Sequence, residues 1–193
     1  IKAEKQELIK AGKIKKDKKS SEIFRGSTHN LPYAYCEQIG KEIRDISDEI
    51  PFEIPDSWEW VRLGKILQPL QSKLPQGEFF RYIDIDAIDN KNNVVNKPKC
   101  VAVAEALSRA TRGLKSGDTL FSVVRPYLRN IAYIDDSLED CIASTGFYVC
   151  RPYEIDSRFL FKLLLSDYVV TGLNAFMKGD NSPSIRVDHI KSF

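Results

Sequence analysis

Alternating and continuous apolar stretches predict a β-rich region in the second half of the chain. Residues 119–124 are mostly β-branched or apolar and indicate a strand, which Pro126 ends because proline has no N–H to donate to a ladder. Residues 79–88 alternate between apolar and polar positions, as a half-buried strand does. Three further segments have strand-like patterns: residues 94–103, which Pro98 interrupts, residues 131–134, and residues 141–151.

A different periodicity follows these strands. Residues 158–177 carry apolar side chains on nearly every face, which predicts one long, deeply packed helix. Asp156 or Ser157 is placed to cap its start, and Gly179 is a plausible stop. From Ile185 the apolar–polar alternation returns. The predicted fold class is α+β, with a small mixed or antiparallel twisted sheet and a long packed helix near the C-terminus.

The first part of the chain is more polar. Residues 1–16 are mostly good helix formers with few apolar positions, and residues 17–50 indicate a poorly ordered linker. A short helix is predicted at residues 36–46, where isoleucines are spaced by four and three. We therefore predict a helical and poorly ordered N-terminal extension.

The composition changes near residue 49. Two prolines in residues 50–63 favour an extended path, and Trp58 and Trp60 alternate with polar neighbours as on an edge strand. The predicted division is residues 1–48 as an extension and residues 49–193 as the folded domain. The strand-like pattern that reaches Phe193 predicts that this domain continues further.

Cationic and aromatic side chains follow the strand at 119–124. The strand delivers Arg125, Tyr127 and Arg129 to a loop. Guanidinium groups and an aromatic ring suit phosphate contact, a forked hydrogen bond to guanine, or stacking on a base. A salt-bridged surface turn is the alternative. Other predicted loops and element ends carry donors of the same kind, namely Arg109, Arg112, Lys115, Lys178 and Asn181.

Composition and charge bound the size of the core and the kind of contact that nucleic acid can make. The 193 residues are 42% apolar and include ten Phe, eight Tyr and two Trp, which is enough for a sizeable core. The net charge is +2, but the first 19 residues alone carry +5, so the remainder carries −3. Any contact with nucleic acid therefore depends on a local patch of positive charge and not on the net charge of the domain. The lysine-rich run at 13–19 suits phosphate, with a solvated charge run as the alternative.

Cysteine usage and hydropathy indicate a reduced, cytoplasmic protein. The four cysteines form no C-x-x-C pair and there are only two histidines, which excludes the usual structural zinc spacings. Cys141 and Cys150 lie in apolar, strand-like stretches typical of buried, reduced thiols. No run of 18 uninterrupted apolar residues is present, and no leader is recognisable, so neither a membrane nor secretion is expected.

Catalytic motifs are missing from the sequence. Asp56, Asp89 and Lys91 formally satisfy a loose nuclease pattern, but Asp89 and Lys91 fall in an Asn-rich turn. Asp84 and Asp86 share a strand face that suits a cation, with solvated carboxylates as the alternative. There is no Asn-Pro-Pro-aromatic motif, no Gly-rich loop and no G-x-S-x-G. The sequence thus indicates a binding module with no catalytic or metal site.

Five segments carry further motifs. They are residues 49–64 (Glu-Ile-Pro-Phe-Glu-Ile-Pro-Asp-Ser-Trp-Glu-Trp-Val-Arg-Leu-Gly), 117–122 (Gly-Asp-Thr-Leu-Phe-Ser), 124–128 (Val-Arg-Pro-Tyr-Leu), 144–147 (Ser-Thr-Gly-Phe) and 177–185 (Met-Lys-Gly-Asp-Asn-Ser-Pro-Ser-Ile). In this order they resemble target recognition domains in the specificity subunits of type I restriction-modification systems. The resemblance covers residues 49–193, and the lysine-rich residues 1–19 look like the end of the family's spacer helix.

The resemblance implies an α+β domain that reads one half of a bipartite DNA target and has no catalytic residues. The family's subunit carries two such domains, and this chain resembles either of them. Modification subunits that bind S-adenosylmethionine, and restriction subunits that use ATP and Mg²⁺, are the implied partners. Cofactors are therefore expected on those partners and not on this chain.

The predicted DNA-binding residues are those named above: Arg125, Tyr127, Arg129, Lys178, Asn181, Arg109, Arg112 and Lys115. Trp58, Trp60, Phe121 and Phe147 are predicted to lie in the core, and Gly117 and Asp118 to form a tight turn. A non-catalytic assembly module that uses the Leu-rich helix is the alternative function, and a Mg²⁺-dependent nuclease fragment is the third.

Overall fold

The structure is a computed structural model that describes residues 2–12, 21–28, 31–153 and 155–193. Its helices are α1 (Lys2–Lys10), α2 (Leu63–Ile66), α3 (Ser157–Leu165), α4 (Asp167–Asn174) and α5 (Val187–Ser192). The strands of the N-terminal half are β1 (Ser21–Thr28), β2 (Leu31–Ile39), β3 (Glu42–Asp45), β4 (Phe79–Ile83), β5 (Ile88–Asp89) and β6 (Val94–Val95). Those that follow are β7 (Lys99–Ala102), β8 (Ala110–Gly113), β9 (Thr119–Ser122), β10 (Ile131–Tyr133), β11 (Ile142–Ser144) and β12 (Phe147–Cys150).

Two sheets form the centre of the molecule. One is mixed, with the order β7-β4-β11-β8, and in it β4 and β11 are parallel. The other is antiparallel, with β9 between β10 and β12. A tight turn at Thr145 and Gly146 leads from β11 in the first sheet to β12 in the second. The α+β prediction with a mixed and antiparallel sheet is confirmed.

Strand β9 supplies both main cores. Successive residues of a strand point to opposite faces, so Phe121 packs in the cluster with Leu160 and Leu164 of α3, whereas Leu120 packs in the cluster with Ile83 and Phe147. All six side chains are almost fully buried. A third, smaller cluster contains Phe80, Tyr82, Ala110 and Ile142. The predicted burial of Phe121 and Phe147 is confirmed.

The predicted long helix is two helices. Ser166 has an extended backbone with ψ 149°, and its side chain accepts a hydrogen bond from the Val169 amide as the cap of α4. Its hydroxyl also donates to the Leu163 carbonyl, which satisfies a group at the end of α3. Apolar residues lie on both sides of the break, so the apolar pattern alone does not reveal it. Both helices are packed into the core, as predicted.

The N-terminal segment differs most from the sequence prediction. Where we predicted a linker, β1, β2 and β3 form an antiparallel sheet. The short helix predicted at 36–46 is wrong, because Gly40 with φ 65° turns the chain between β2 and β3. Ile43 is 59% exposed and Ile46 is 2% exposed, so these isoleucines do not share one helical face.

A buried carboxylate ties this sheet to the rest of the domain. Glu37 of β2 is 2% exposed and accepts hydrogen bonds from Arg62 at 2.9 and 3.0 Å. Arg44 and Ser21 donate to the same carboxylate, and Arg62 also pairs with Glu49 at 2.6 Å. These donors, Arg62 foremost, lower the pKa of Glu37 to about 2.

Three further segments depart from the predictions. Trp58 and Trp60 lie outside any strand, and Trp58 is 56% exposed, not in the core. Residues 185–193 contain helix α5 instead of a strand. Arg112, predicted to lie in a loop or at the end of an element, lies within strand β8. Among the described residues, no helix has the length and apolar character that crossing a bilayer requires.

The predicted turn at Gly117 and Asp118 is present. Gly117 has φ 88°, a conformation that favours glycine. The side chain of Asp118 is buried, accepts two hydrogen bonds from Arg151 at 2.8 and 2.7 Å, and accepts a third from the Lys115 amide at 2.8 Å. The turn therefore joins the start of β9 to the end of β12 and is part of the scaffold.

The Glu37 anchor predicts a defined pH dependence. Because the folded pKa is about 2 and the ordinary value is 4.5, ionised Glu37 stabilises the fold above about pH 4.5. This contribution, roughly 3 kcal/mol, is lost as the pH falls from 4.5 towards 2. Glu37→Gln should lower the urea midpoint at pH 7 and flatten the pH dependence of stability between pH 5 and 3. An unchanged midpoint beside an exposed control, Glu42→Gln, would contradict the anchor.

The Asp118 contact predicts a large loss of stability. Asp118→Ala leaves the guanidinium of Arg151, whose side chain is 11% exposed, without its carboxylate. Removing one partner of a buried ion pair costs about 3–5 kcal/mol. Chemical denaturation should show this loss, whereas the exposed Asp180→Ala should stay close to the parent chain. Equal midpoints for the two variants would show that the turn is dispensable.

Candidate nucleic-acid interface

Strand directions bring several loops to one edge of the molecule. Ile83 of β4 lies opposite Ala143 of β11 in a parallel pair, so both strands end at this edge. Strand β8 begins there, since Ala110 lies opposite Ser144. Strand β9 ends there, since Ser122 lies opposite the first residue of β12. We call residues 84–93, 106–109, 123–130, 145–146 and 178–184 the loop edge.

Backbone hydrogen bonds connect the loops of this edge. The Thr145 amide donates to the Arg109 carbonyl at 2.8 Å, and the Val123 amide donates to the Gly146 carbonyl at 2.9 Å. A side chain at Gly146 would place its Cβ 2.8 Å from Cδ1 of Ile85. Glycine is therefore required here for close packing of the β11–β12 turn against the segment after β4.

The two loops with the strongest sequence signal lie side by side. Val124 and Ser184 form an antiparallel bridge, and the Arg125 amide donates to the Pro183 carbonyl at 2.8 Å. The Arg125 guanidinium donates to the Asn181 carbonyl at 2.7 Å. Arg125, Tyr127, Lys178 and Asn181, which come from segments about 50 residues apart, thus share one surface.

The loop after β9 has an unusual backbone. Pro126–Leu128 is a single 3-10 turn, and the arginines on either side, Arg125 with φ 46° and Arg129 with φ 55°, are both left-handed. This conformation costs roughly 1–2 kcal/mol for each residue that is not glycine. It persists only where the surroundings determine the path. The turn is closed by hydrogen bonds from the Leu128 amide to the Arg125 carbonyl and from the Arg129 amide to the Pro126 carbonyl, both 2.9 Å.

A second loop, which the sequence did not indicate as part of the site, supports this turn. Asn90 donates to the Leu128 carbonyl at 2.8 Å, and Asn93 donates to the Arg129 carbonyl at 3.3 Å. Asp89 holds the loop itself by accepting hydrogen bonds from the amides of Lys91 and Asn92. The available signal was the Asn-rich composition, which indicates a turn but not which strand end it meets.

Two of the predicted arginines are bound to the protein itself. Arg129 donates to the Leu165 carbonyl at 2.9 Å and forms an ion pair with Asp167, so it fastens the loop to the break between α3 and α4. Arg109 pairs with Asp84 at 2.5 Å and donates to the hydroxyl of Tyr82. Both guanidinium groups remain partly exposed, but part of their charge is neutralised.

Other donors at the loop edge are less engaged. The side chains of Lys91, Lys178 and Arg125 are exposed and form no ion pair with the residues that the structure describes. The Asn181 side chain is exposed as well. Arg125 has one carbonyl partner, which leaves most of its five N–H donors available. These groups are the ones that can meet an anionic ligand without breaking an existing ion pair.

Two predicted residues do not join the edge. Lys115 is exposed at the opposite end of the strands, beside Asp118 and near Asp136 and Glu139. Arg112 lies within β8, and its Nε is buried with no hydrogen-bond partner among the described residues. The lysine run at 13–19 lies outside the described residues, so the structure does not place it.

The carboxylates of the nuclease hypothesis are occupied elsewhere. Asp56 lies 3.8 Å from Arg25, and Asp89 holds its own turn. Asp84 and Asp86 are paired with Arg109 and Lys99, each at 2.5 Å. No cluster of three or more His, Cys, Asp or Glu able to hold a metal is found within the described part of the chain. The described carboxylates therefore do not assemble the metal centre that such a nuclease requires.

The predicted state of the cysteines agrees with the structure. Cys141 and Cys150 are buried and unpaired, in the two main cores. Burial raises the pKa of both thiols, so they remain protonated and unreactive near neutral pH.

Taken as a class, the molecule is an α+β domain whose strand ends present a cationic and amide-rich edge. Curated proteins similar to it are specificity subunits of type I restriction enzymes. The HindI subunit of Haemophilus influenzae is 25% identical over 139 residues, which cover 70% of this chain and 30% of that protein. The MjaVIII subunit of Methanocaldococcus jannaschii is 26% identical over 157 residues, covering 69% and 34%. The EcoAI subunit of Escherichia coli is 36% identical over 93 residues, covering 48% and 12%.

Solved structures give the same result. The crystal structure of the HsdS subunit from Thermoanaerobacter tengcongensis matches with a TM-score of 0.67 and 35% identity, over 74% of this chain and 38% of that one. A chain from a structural study of complex assembly and conformational transition of the type I R-M system matches with a TM-score of 0.69 and 36% identity, over the same shares of 74% and 38%. No protein-family model matches the chain.

These likenesses confirm the resemblance to target recognition domains of type I specificity subunits. They agree with the α+β fold and with a non-catalytic chain, because the matched proteins are the specificity components of their systems. The chain spans about a third of the length of the first two curated relatives.

Proposed function

We propose that the loop edge binds double-stranded DNA in a sequence-specific manner and reads one half of a bipartite target. The observation that carries this proposal is the convergence of Arg125, Lys178, Asn181 and Lys91 on one surface. They come from three separate segments, and the first three were expected at a DNA interface from sequence. Relatives named as specificity subunits support the same role.

The chemistry of these groups suits two kinds of contact. Lysine ammonium groups neutralise phosphates and position the protein on the duplex. An arginine fork pairs with the O6 and N7 atoms of guanine, and an asparagine amide pairs with the N6 and N7 atoms of adenine. Arg125 and Asn181 lie at the same surface, so together they carry the donors for reading adjacent base pairs.

Within a larger assembly, the chain supplies recognition and its partners supply chemistry. The proposed partners are modification subunits, which bind S-adenosylmethionine, and restriction subunits, which use ATP and Mg²⁺. The assembly acts on DNA in the cytoplasm. Two linked recognition domains bind more tightly than either domain does by itself. Binding of a half-site by this chain alone is therefore expected to be weak.

A charge-matched experiment tests DNA binding. The chain is first used to select duplexes from a random library, and the enriched duplex is then titrated over a range of salt concentrations. Arg125→Ala combined with Lys178→Ala should weaken binding about tenfold and reduce the slope of log K against log salt by about 2. Arg129 is left unchanged, because its loss would also release the α3–α4 break.

The control is Lys115→Ala combined with Lys73→Ala, which changes two exposed lysines that line one surface at the opposite end of the strands. It removes the same charge from the opposite end of the strands and should leave the affinity and the salt slope close to those of the parent chain. Equal losses in both double variants would show that binding depends on net charge and not on the loop edge. If no duplex is enriched by the parent chain, the proposal fails.

An apolar cleft favours the alternative function, that of an assembly module. A half-open apolar cleft of about 370 Å³ lies beside α3 and α4 and is lined in part by Phe52, Trp60, Tyr168 and Phe193. The Phe52 and Trp60 rings are 5.2 Å apart, and those of Tyr168 and Phe193 are 5.1 Å apart. Exposed aromatic clusters of this kind mark protein contacts, and they lie outside the loop edge.

We infer that this cleft serves assembly and not DNA reading. Phe52→Ser combined with Tyr168→Ser should therefore reduce co-purification with the modification subunit of the same system and leave duplex affinity unchanged, since both side chains are already 57% and 37% exposed. Phe79→Ser, which alters an exposed aromatic residue outside the cleft, is the control. If the cleft variant bound DNA more weakly but still co-purified with the modification subunit, the cleft would belong to DNA reading and not to assembly.

A further inference from the structure

Two apolar side chains project from the tip of the loop after β9. Tyr127 is 45% exposed and Leu128 is 40% exposed, and they are adjacent in the 3-10 turn. Neither side chain forms a hydrogen bond or an ion pair with the residues that the structure describes. The turn that carries them packs against α4, yet both side chains keep a large exposed area.

The backbone that carries this tip is held from several sides. Pro183 and Asn181 accept hydrogen bonds from Arg125 on one side. On the other side Asn90 donates to the Leu128 carbonyl, while Arg129 is bound to Leu165 and Asp167. The tip is thus fixed by segments from the Asn-rich loop, the α3–α4 break and the loop at 178–184.

The turn at 126–128 has a strained backbone that neighbouring segments hold in place. Two left-handed arginines flank the turn, and such conformations are kept only where neighbouring groups determine them. Hydrogen bonds from three segments hold in place two side chains that remain 45% and 40% exposed. A surface turn with no ligand needs neither the strain nor the apolar tip.

The surroundings of the tip identify its ligand. Arg125 is in the same turn, and Lys178 is in the neighbouring loop, so the apolar tip is flanked by groups that attract phosphate. A protein partner that matched the tip would have to bury these charges, whereas a nucleic-acid duplex pairs its phosphates with them and offers apolar base faces between them.

We propose that Tyr127 and Leu128 form an apolar wedge that enters a base step of the bound duplex and unstacks it. This inference rests on the proposed function and deepens it by assigning a way of deforming the target. Apolar side chains inserted between base pairs partly unstack and kink the duplex. The deformation energy depends on the step, with pyrimidine–purine steps the most easily kinked. The wedge therefore contributes specificity at a step that need not be read by hydrogen bonds.

Fluorescent base analogues test the wedge directly. In the duplex selected by the chain, 2-aminopurine replaces each adenine in turn and pyrrolocytosine replaces each cytosine, so that every base pair is probed. Binding of the parent chain should raise the fluorescence several-fold at one step and not elsewhere. Tyr127→Ala combined with Leu128→Ala should abolish that rise while keeping the salt slope, because Arg125 and Lys178 are unchanged.

Two variants separate the wedge from other effects. Leu74→Ala removes an apolar side chain that is 67% exposed in the segment before β4, and it should retain the full fluorescence rise. Tyr127→Phe keeps the ring and should also retain it. Thermal unfolding of each variant confirms that the fold is intact, which is expected because both wedge side chains lie outside the buried core.

The outcomes distinguish the wedge from the proposed function. If the parent chain binds the selected duplex and no step becomes fluorescent, or if the rise persists in the double alanine variant, the wedge is overturned and DNA binding stands. If the chain selects no duplex, both fail together. A rise that is lost in the double alanine variant and kept in Leu74→Ala and Tyr127→Phe establishes the wedge.

Discussion

The rest of the structure depends on the complete burial of strand β9 between β10 and β12. All four of its residues are buried, and its two large apolar side chains point into different cores. A strand that is paired on both sides and packed on both faces cannot shift register without exposing one of these cores. Its two ends are therefore held at defined positions, with the Asp118 turn at one end and the loop of Arg125 at the other.

Polar contacts hold the loop edge in a fixed position relative to the end of β9. The Ser122 hydroxyl donates to the Val124 carbonyl at 2.7 Å, just before the chain enters the strained turn. The Asn-rich loop and the loop at 178–184 then hold the turn from outside. A binding surface supported in this way pays little conformational entropy on association. The edge is thus suited to reading a ligand of fixed geometry, such as a duplex.

Basic residues of the domain serve two different purposes. Arg62 and Arg151 neutralise the buried carboxylates of Glu37 and Asp118 and hold the fold together, and Arg129 holds the α3–α4 break. Lys178 and Lys91 form no ion pair with described residues and remain for a ligand. The sequence does not separate these roles, because each arginine meets its partner across a long stretch of chain: 25 positions for Arg62 and Glu37, 33 for Arg151 and Asp118, and 38 for Arg129 and Asp167.

The sequence by itself determined the α+β class, most strand positions, the buried cysteines and the turn at Gly117, because each of these follows from local periodicity or backbone preference. Tertiary structure decided the remainder. The N-terminal sheet depends on Glu37 meeting Arg62, the helix break depends on the Ser166 cap, and the loop edge depends on strand directions. It also placed Lys115 at the opposite end and added Lys91 to the site. The contacts of Ser166 reach only three residues away, but a continuous apolar pattern covers them. The other features arise from contacts between distant segments, which local patterns do not encode.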